Sequence, residues 1–309
     1  MFRLKCIFRG SLSFLQFHSF TVHLAKNSSL SIFCRLGYFT LIEIFMSQNL
    51  SDFEKLELTF ENESRIVFKK GKGPAVILMH EIPGIHPGVI RLANAFCDSG
   101  LSVWLPSLVG KPGKKSSIPY IATSLARSCV MHEFTVLATS KNSSVTSWLR
   151  LLARYVHQEC GGAGVGAIGM CLTGGFALAM MIEEAVLAPV VCNPSLPFSV
   201  TSNRKSDLGI DENTLKQAKV RSATQNVCIL GMRFTNDIFV PSERFQRLRE
   251  EFGSNFLAIE IDSSPGNRHG IDRFAHSVLG MHYVNKKDHP TVAAEDKTVA
   301  FMKDRLIGV

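Results

Sequence analysis

Hydrophobic and polar positions fall into a regular order from about residue 53 onward. Residues 56–60 and 65–69 alternate apolar and polar side chains on either side of Glu61-Asn62-Glu63-Ser64, which predicts a short hairpin. Residues 74–80 (PAVILMH) are a short apolar run with turn signals at both ends and predict a buried strand. Helical spacing covers residues 86–99 and stops at Gly100, and residues 101–105 predict the next strand. A polar loop at 110–117 (GKPGKKSS) precedes a helix. The apolar face Trp148, Leu149, Leu152, Tyr155 and Val156 predicts a helix over 145–157 that ends before Gly161-Gly162. Further strands are predicted at 165–170, 186–191, 227–230 and 256–261, and further helices at 172–184, 241–252 and 292–306.

Near-continuous apolar strands that alternate with helices belong to a parallel sheet covered on both faces. The predicted fold class is therefore α/β: a mostly parallel, twisted sheet with helices on both faces, built from residues 46–309 as a single domain. No internal repeat or long low-complexity segment breaks this order.

Residues 1–45 differ. They are rich in Phe and Ser and carry Arg3, Lys5, Arg9, Lys26 and Arg35 against Glu43 alone. Three readings compete: a transit-type presequence, a secretory signal lacking a clean apolar core and cleavage site, and an N-terminal extension from a start assigned ahead of Met46.

Composition narrows the class. Of 309 residues, 46% are hydrophobic and 19% charged, which excludes a mainly disordered or fibrous chain. No run of 18 uninterrupted apolar residues occurs, so no membrane span is expected. The net charge of +8 is scattered rather than clustered, so no nucleic-acid partner is expected. The eight cysteines include no CxxC pair and no zinc-ligand spacing with histidine, so no metal is expected. A chain of this size does not need a disulfide framework; reduced thiols and a cytoplasmic location are the expectation.

The sharpest motif is Gly169-Met170-Cys171-Leu172-Thr173-Gly174-Gly175, between a predicted strand and a predicted helix. A tight strand–turn–helix exposes its central side chain above the sheet edge, and the helix N-terminus favours negative charge there. Cys171 is thus a candidate nucleophile; the competing reading is a buried structural cysteine in a glycine-rich turn. A nucleophile needs a base and an orienting acid. Asp237 follows the strand at 227–230, and His269 and His276 follow the strand at 256–261, which is the order nucleophile, acid, histidine of α/β-hydrolases. His80 reads as a packing or hydrogen-bonding histidine and His289 as a surface loop residue.

These segments resemble the dienelactone hydrolase family of α/β-hydrolases. The likeness is carried by His80-Glu81-Ile82-Pro83-Gly84, Gly169-Met170-Cys171-Leu172, Asp237-Ile238-Phe239-Val240-Pro241 and Ala275-His276-Ser277, and spans about residues 55–307. It implies the α/β-hydrolase fold and a carboxylic ester or lactone hydrolase working through a thioester acyl-enzyme, with Cys171 as nucleophile, Asp237 as acid and His276 as base. His276 lies at the family's distance from the last helix, and His269, in Arg268-His269-Gly270, is the alternative base. The resemblance also implies that Glu81 controls ionisation of the thiol and that the backbone N–H groups of Ile82 and Leu172 form an oxyanion hole. No cofactor is implied, and the partner is a small-molecule ester or lactone.

Two departures stand out. Thr173 occupies a position that is usually glycine in the elbow, which threatens to widen the strand–helix approach. The arginines that bind the substrate carboxylate in the best-known members have no clear match: position 280 is Gly, with Arg273 or Arg127 as possible substitutes. Rival readings on the same fold are an acyltransferase or thioesterase using the same triad, and a non-catalytic binding protein.

Overall fold

The computed structural model describes residues 50–130 and 144–307. The expectations for residues 1–45 lie outside the described residues.

Glu61 and Asn62 both take left-handed backbone angles (φ 48° and 68°). That two-residue turn matches the twist of its flanking strands and reverses the chain between β1 (Glu54–Phe60) and β2 (Glu63–Lys70), which pair antiparallel. The apolar runs then form β3 (Ala75–Met79), β4 (Ser102–Pro106), β5 (Val165–Met170), β6 (Val186–Cys192), β7 (Ile229–Phe234) and β8 (Phe256–Ile261). The eight strands lie in the order β1-β2-β4-β3-β5-β6-β7-β8. β2 meets β4 antiparallel, and every pair from β4 to β8 is parallel. All residues of β3, β4, β5 and β7 are buried, as a sheet covered on both faces requires.

The helices described are α1 (Pro87–Asp98), α2 (Ile118–Val130), α3 (Ser144–Cys160), α4 (Gly174–Met180), α5 (Ser202–Ser206), α6 (Glu212–Gln225), α7 (Ser242–Phe252) and α8 (Pro290–Leu306). Alternate strand residues feed two cores. On one side Ile77, Ala167 and Ile229 pack with Trp148 and Leu152 of α3, Phe176 of α4 and Phe245 of α7. On the other, Val76, Leu78, Ile168 and Val190 pack with Ile90 and Phe96 of α1 and Phe301 and Met302 of α8. No helix among the described residues is long and apolar enough to cross a membrane.

Strand register fixes what emerges at the carboxyl edge. Met79 pairs with Gly169, Met170 with Cys192, Cys192 with Met232, and Phe234 with Ile261. Residues 80, 171, 193, 235 and 262 therefore leave the sheet side by side, on the edge where open α/β sheets bind ligands.

Four elements differ from the sequence expectation. The helix predicted over 172–184 is a short 3-10 turn at Cys171–Thr173 followed by α4, which stops at Met180. The buried Arg221 of α6 takes the carbonyls of Met181 (2.5 Å), Glu183 and Glu184 (2.7 Å), holding a turn where the helix would have continued. The strand predicted at 227–230 lies at 229–234, because Arg233 is buried within it. Its guanidinium bonds Glu260 of β8 at 2.9 Å and the carbonyl of Val240 at 2.5 Å. Helices α5 and α6 have no counterpart in the expectation; α6 buries a mixed set (Thr214, Leu215, Ala218, Arg221, Ser222) instead of an apolar stripe. His289, expected on the surface, is buried and caps α8 by accepting from the Thr291 N–H.

Candidate active site

Cys171 is the first residue beyond β5 and has φ 56°, a left-handed conformation rare for a side chain this size. Such an angle persists only where the surroundings enforce it, and it projects the side chain above the sheet edge. Glycine permits the tight turn at two places. A Cβ on Gly169 would lie 2.1 Å from the Thr173 carbonyl oxygen, and one on Gly174 would lie 2.6 Å from Pro194 Cβ. Thr173 does not widen the approach. Its buried Oγ1 accepts from the Met170 N–H (2.8 Å) and donates to the Met79 carbonyl (3.0 Å), tying the elbow to the end of β3.

The loops beyond β7 and β8 bring Asp237 and His276 together. Oδ2 of the buried Asp237 lies 2.6 Å from His276 Nδ1, and its Oδ1 accepts from the Phe239 N–H at 2.9 Å. The Phe239 ring stands edge-on to the imidazole at 5.6 Å. Burial works against charge on His276, but the Cys171 side chain and the hydrogen bonds to Asp237 and Cys171 outweigh it and raise the imidazole well above its ordinary value. The backbone of the histidine loop is held by His282, whose Nδ1 accepts from Ser277 N (3.0 Å) and His276 N (3.3 Å). Burial pushes the His282 pKa down, which suits that accepting role.

His269 is elsewhere. Its ring meets His289 at 5.6 Å, in a surface groove between β8 and α8 lined also by Glu260, Arg268 and Lys297.

Glu81 leaves the end of β3 fully buried. Its Oε1 accepts from His86 Nε2 (2.9 Å), Ser277 Oγ (2.7 Å) and Met281 N (3.2 Å). Burial alone would raise its pKa, and those bonds together with His86 lower it. Its Oε2 is buried with no hydrogen-bond partner among the described residues. Among the described residues the bonds that hold Glu81 thus go to His86, Ser277 and Met281, and none goes to the Cys171 sulfur. His80 donates from Nδ1 to the Glu81 carbonyl (3.0 Å) and accepts at Nε2 from Leu108 N (3.0 Å), and burial pushes its pKa down to about 4. Ile82 and Leu172, the candidate oxyanion donors, are buried just past β3 and β5.

Two residues from the loop after β6 complete the site. Ser195 Oγ lies 3.3 Å from Cys171 Sγ, and Asn193 Nδ2 lies 3.5 Å from His276 Nε2. Neither residue belongs to the sequence motifs, nor do His86 and His282. Asn193-Pro194-Ser195 follows a predicted strand at the ligand-binding edge, and that position was the available signal; for His86 and His282 there was none. Arg273 is exposed, its guanidinium 4.4 Å from the Phe274 ring; the Arg127 side chain lies outside those described. No group of three or more His, Cys, Asp or Glu among the described residues is arranged to hold a metal ion.

The sequence profile of the dienelactone hydrolase family matches residues 63–304. Among solved structures, a putative dienelactone hydrolase from Klebsiella pneumoniae superposes with a TM-score of 0.54 at 15% identity, over 81% of this chain and 97% of that one. A dienelactone hydrolase from Anabaena variabilis gives 0.50 at 14% identity, over 82% and 99%. An α/β serine hydrolase without lid from Xanthomonas campestris gives 0.50 at 12% identity, over 84% and 97%. At these identities the likeness is one of fold. No curated protein matches the sequence.

Proposed function

The chain belongs to the dienelactone hydrolase family, and on that premise we propose that it cleaves small carboxylic esters or lactones with Cys171, His276 and Asp237, through a thioester acyl-enzyme. The observation that carries this reading is the 2.6 Å bond from His276 to Asp237, made by a histidine that is also coupled to the Cys171 sulfur. Geometry of this kind supports the reading of Cys171 as nucleophile, His276 as base and Asp237 as the group that orients the base.

In this reading the Cys171 thiolate adds to the carbonyl carbon. The oxyanion is held by the backbone N–H groups of Leu172 and Ile82, donors of a kind whose loss costs about 3 kcal/mol in a well-formed site. The tetrahedral adduct collapses, the C–O bond breaks, and the leaving alkoxide takes the proton from His276. Water then enters; His276 removes its proton as the oxygen adds to the thioester carbon, and the second collapse expels the Cys171 thiolate and frees the acid. Asp237 keeps Nδ1 protonated so that Nε2 faces the reacting groups. Glu81 adds a buried negative charge that favours imidazolium at His276. A thiol nucleophile suits activated carbonyls, such as enol esters and strained lactones.

The test is turnover of a chromogenic acetate ester by wild type, Cys171→Ala, His276→Ala and His269→Ala, with and without an added alcohol. Cys171→Ala and His276→Ala should lose at least about 10³-fold, and His269→Ala should stay within about twofold. Full activity in Cys171→Ala would overturn the reading, and transfer of the acyl group to the alcohol in place of acid formation would make the protein an acyltransferase.

A further inference from the structure

Ser195 touches the nucleophile and has no part in the triad. It sits three residues beyond β6, is 2% exposed, and holds its Oγ 3.3 Å from Cys171 Sγ. Its own N–H donates to the Cys171 carbonyl at 3.1 Å, so the loop is hooked to the elbow by backbone and side chain together. The loop is also fixed from behind. The buried Arg244 donates to the carbonyls of Pro194 (2.7 Å) and Pro197 (2.6 Å), on either side of Ser195. The Pro194 ring packs so closely on Gly174 that a methyl group would not fit between them.

A hydroxyl is both donor and acceptor. Toward a thiol, Ser195 accepts the S–H; toward a thiolate, it rotates and donates its O–H, with no heavy atom moving. A buried donor already aimed at an atom that gains charge stabilises that charge without reorganisation. We propose that Ser195 is a further catalytic residue, whose hydroxyl donates to Cys171 Sγ whenever the sulfur is negative: in the attacking thiolate and again as the thiolate leaves the second tetrahedral adduct. No proton is transferred in either event. Ser195 keeps its hydrogen, and His276 carries out the acid–base steps. This rests on the reading of Cys171 as nucleophile.

The test separates the two ideas. Carbamidomethylation of Cys171 by iodoacetamide is followed against pH and read on the Cys171 peptide by mass spectrometry, so that Cys97 and Cys160, which are partly exposed, do not contribute. Removing a donor to the thiolate makes the anion costlier. In Ser195→Ala the midpoint of the alkylation profile should rise by about one pH unit, as loss of one hydrogen bond to a charged group implies. Ser195→Thr, which keeps the hydroxyl, should return it toward wild type. Thermal unfolding confirms that the variants are folded, and Ser195→Gly removes the same hydroxyl should the alanine variant not fold. A midpoint unchanged in the folded variant lacking the hydroxyl overturns the proposal, whatever happens to ester turnover. Failure of the underlying reading shows separately, as ester turnover that survives Cys171→Ala.

Discussion

Gly280 lies against Glu81 so closely that a Cβ at position 280 would fall 2.0 Å from Glu81 Oε1 and 2.4 Å from Ser277 Oγ. A side chain at the position where the family resemblance expects a substrate-binding arginine would therefore force the Glu81 carboxylate or the Ser277 hydroxyl to move, and the cation-capable partner of Glu81 is His86, at 2.9 Å. Gly280→Ala should displace the carboxylate and loosen its bonds to Ser277 and Met281. The expected cost is about 1–3 kcal/mol, the usual penalty for overpacking a filled interior. Urea unfolding of the variant measures it, and a loss below about 0.5 kcal/mol would mean that the site relaxes around the methyl group.

Arg244 is wholly buried, and its guanidinium serves four carbonyls: Pro194, Pro197, Arg204 and Asp207. Burial pulls its pKa down to about 10, with Asp207 and Asp237 acting the other way, so it stays charged at neutral pH. Arg244→Met keeps much of the stem and removes every donor. Four carbonyls then lose their partner, and at about 1–3 kcal/mol for each that stays dry the loss should exceed about 3 kcal/mol. Arg244→Lys should recover little of it, since a single ammonium cannot reproduce the fork. Guanidinium unfolding midpoints check both variants.

What could be read from the chain and what could not divide along physical lines. Strand–turn–helix signals are local, so β3 to β8 and the elbow at Cys171 were visible in runs of apolar residues and paired glycines. Charged residues buried inside elements defeat that reading. Arg233 hid the second half of β7, and the Arg221 contacts that stop the chain after α4 come from 37 to 40 residues away. The partners of the site residues depend on register. Ser195 and Asn193 stand beside Cys171 and His276 because Met170 pairs with Cys192, a relation absent from any window of sequence. His282 supports the histidine loop through backbone N–H groups, and such a role has no residue-type signature.

His80 makes acid stability testable. Burial depresses its folded pKa to about 4, below the ordinary value of 6.5. Between those values the unfolded chain binds the proton and the folded one does not, so stability is full above about pH 6.5 and falls as pH drops toward 4. The most that one such histidine contributes to this slope is about 3 kcal/mol. His80→Gln keeps an acceptor for the Leu108 N–H and removes the titration. Its stability relative to wild type should therefore improve on going from pH 7 to pH 4.5. Denaturant midpoints at the two pH values decide it; a parallel fall in both proteins would remove His80 from the account.

The coupling between Cys171 and His276 predicts how the imidazole titrates once the sulfur is gone. In the native site burial opposes the charged ring, and the Cys171 sulfur is the largest influence that overcomes it, ahead of the hydrogen bond to Asp237. Cys171→Ala deletes the sulfur and leaves the 2.6 Å bond to Asp237 in place. The folded pKa of His276 should then fall, so that the ring gives up its proton at lower pH in the variant than in wild type. Side-chain nitrogen NMR of the two proteins follows this directly, because the shift of Nε2 reports its proton. The catalytic consequence has the same sign: an imidazolium that holds its proton more tightly while the sulfur is anionic gives it up more readily to the leaving alkoxide once the thiolate has attacked. If the His276 midpoint is the same in both proteins, the histidine is set by Asp237 and burial alone, and its coupling to the sulfur is removed from the account.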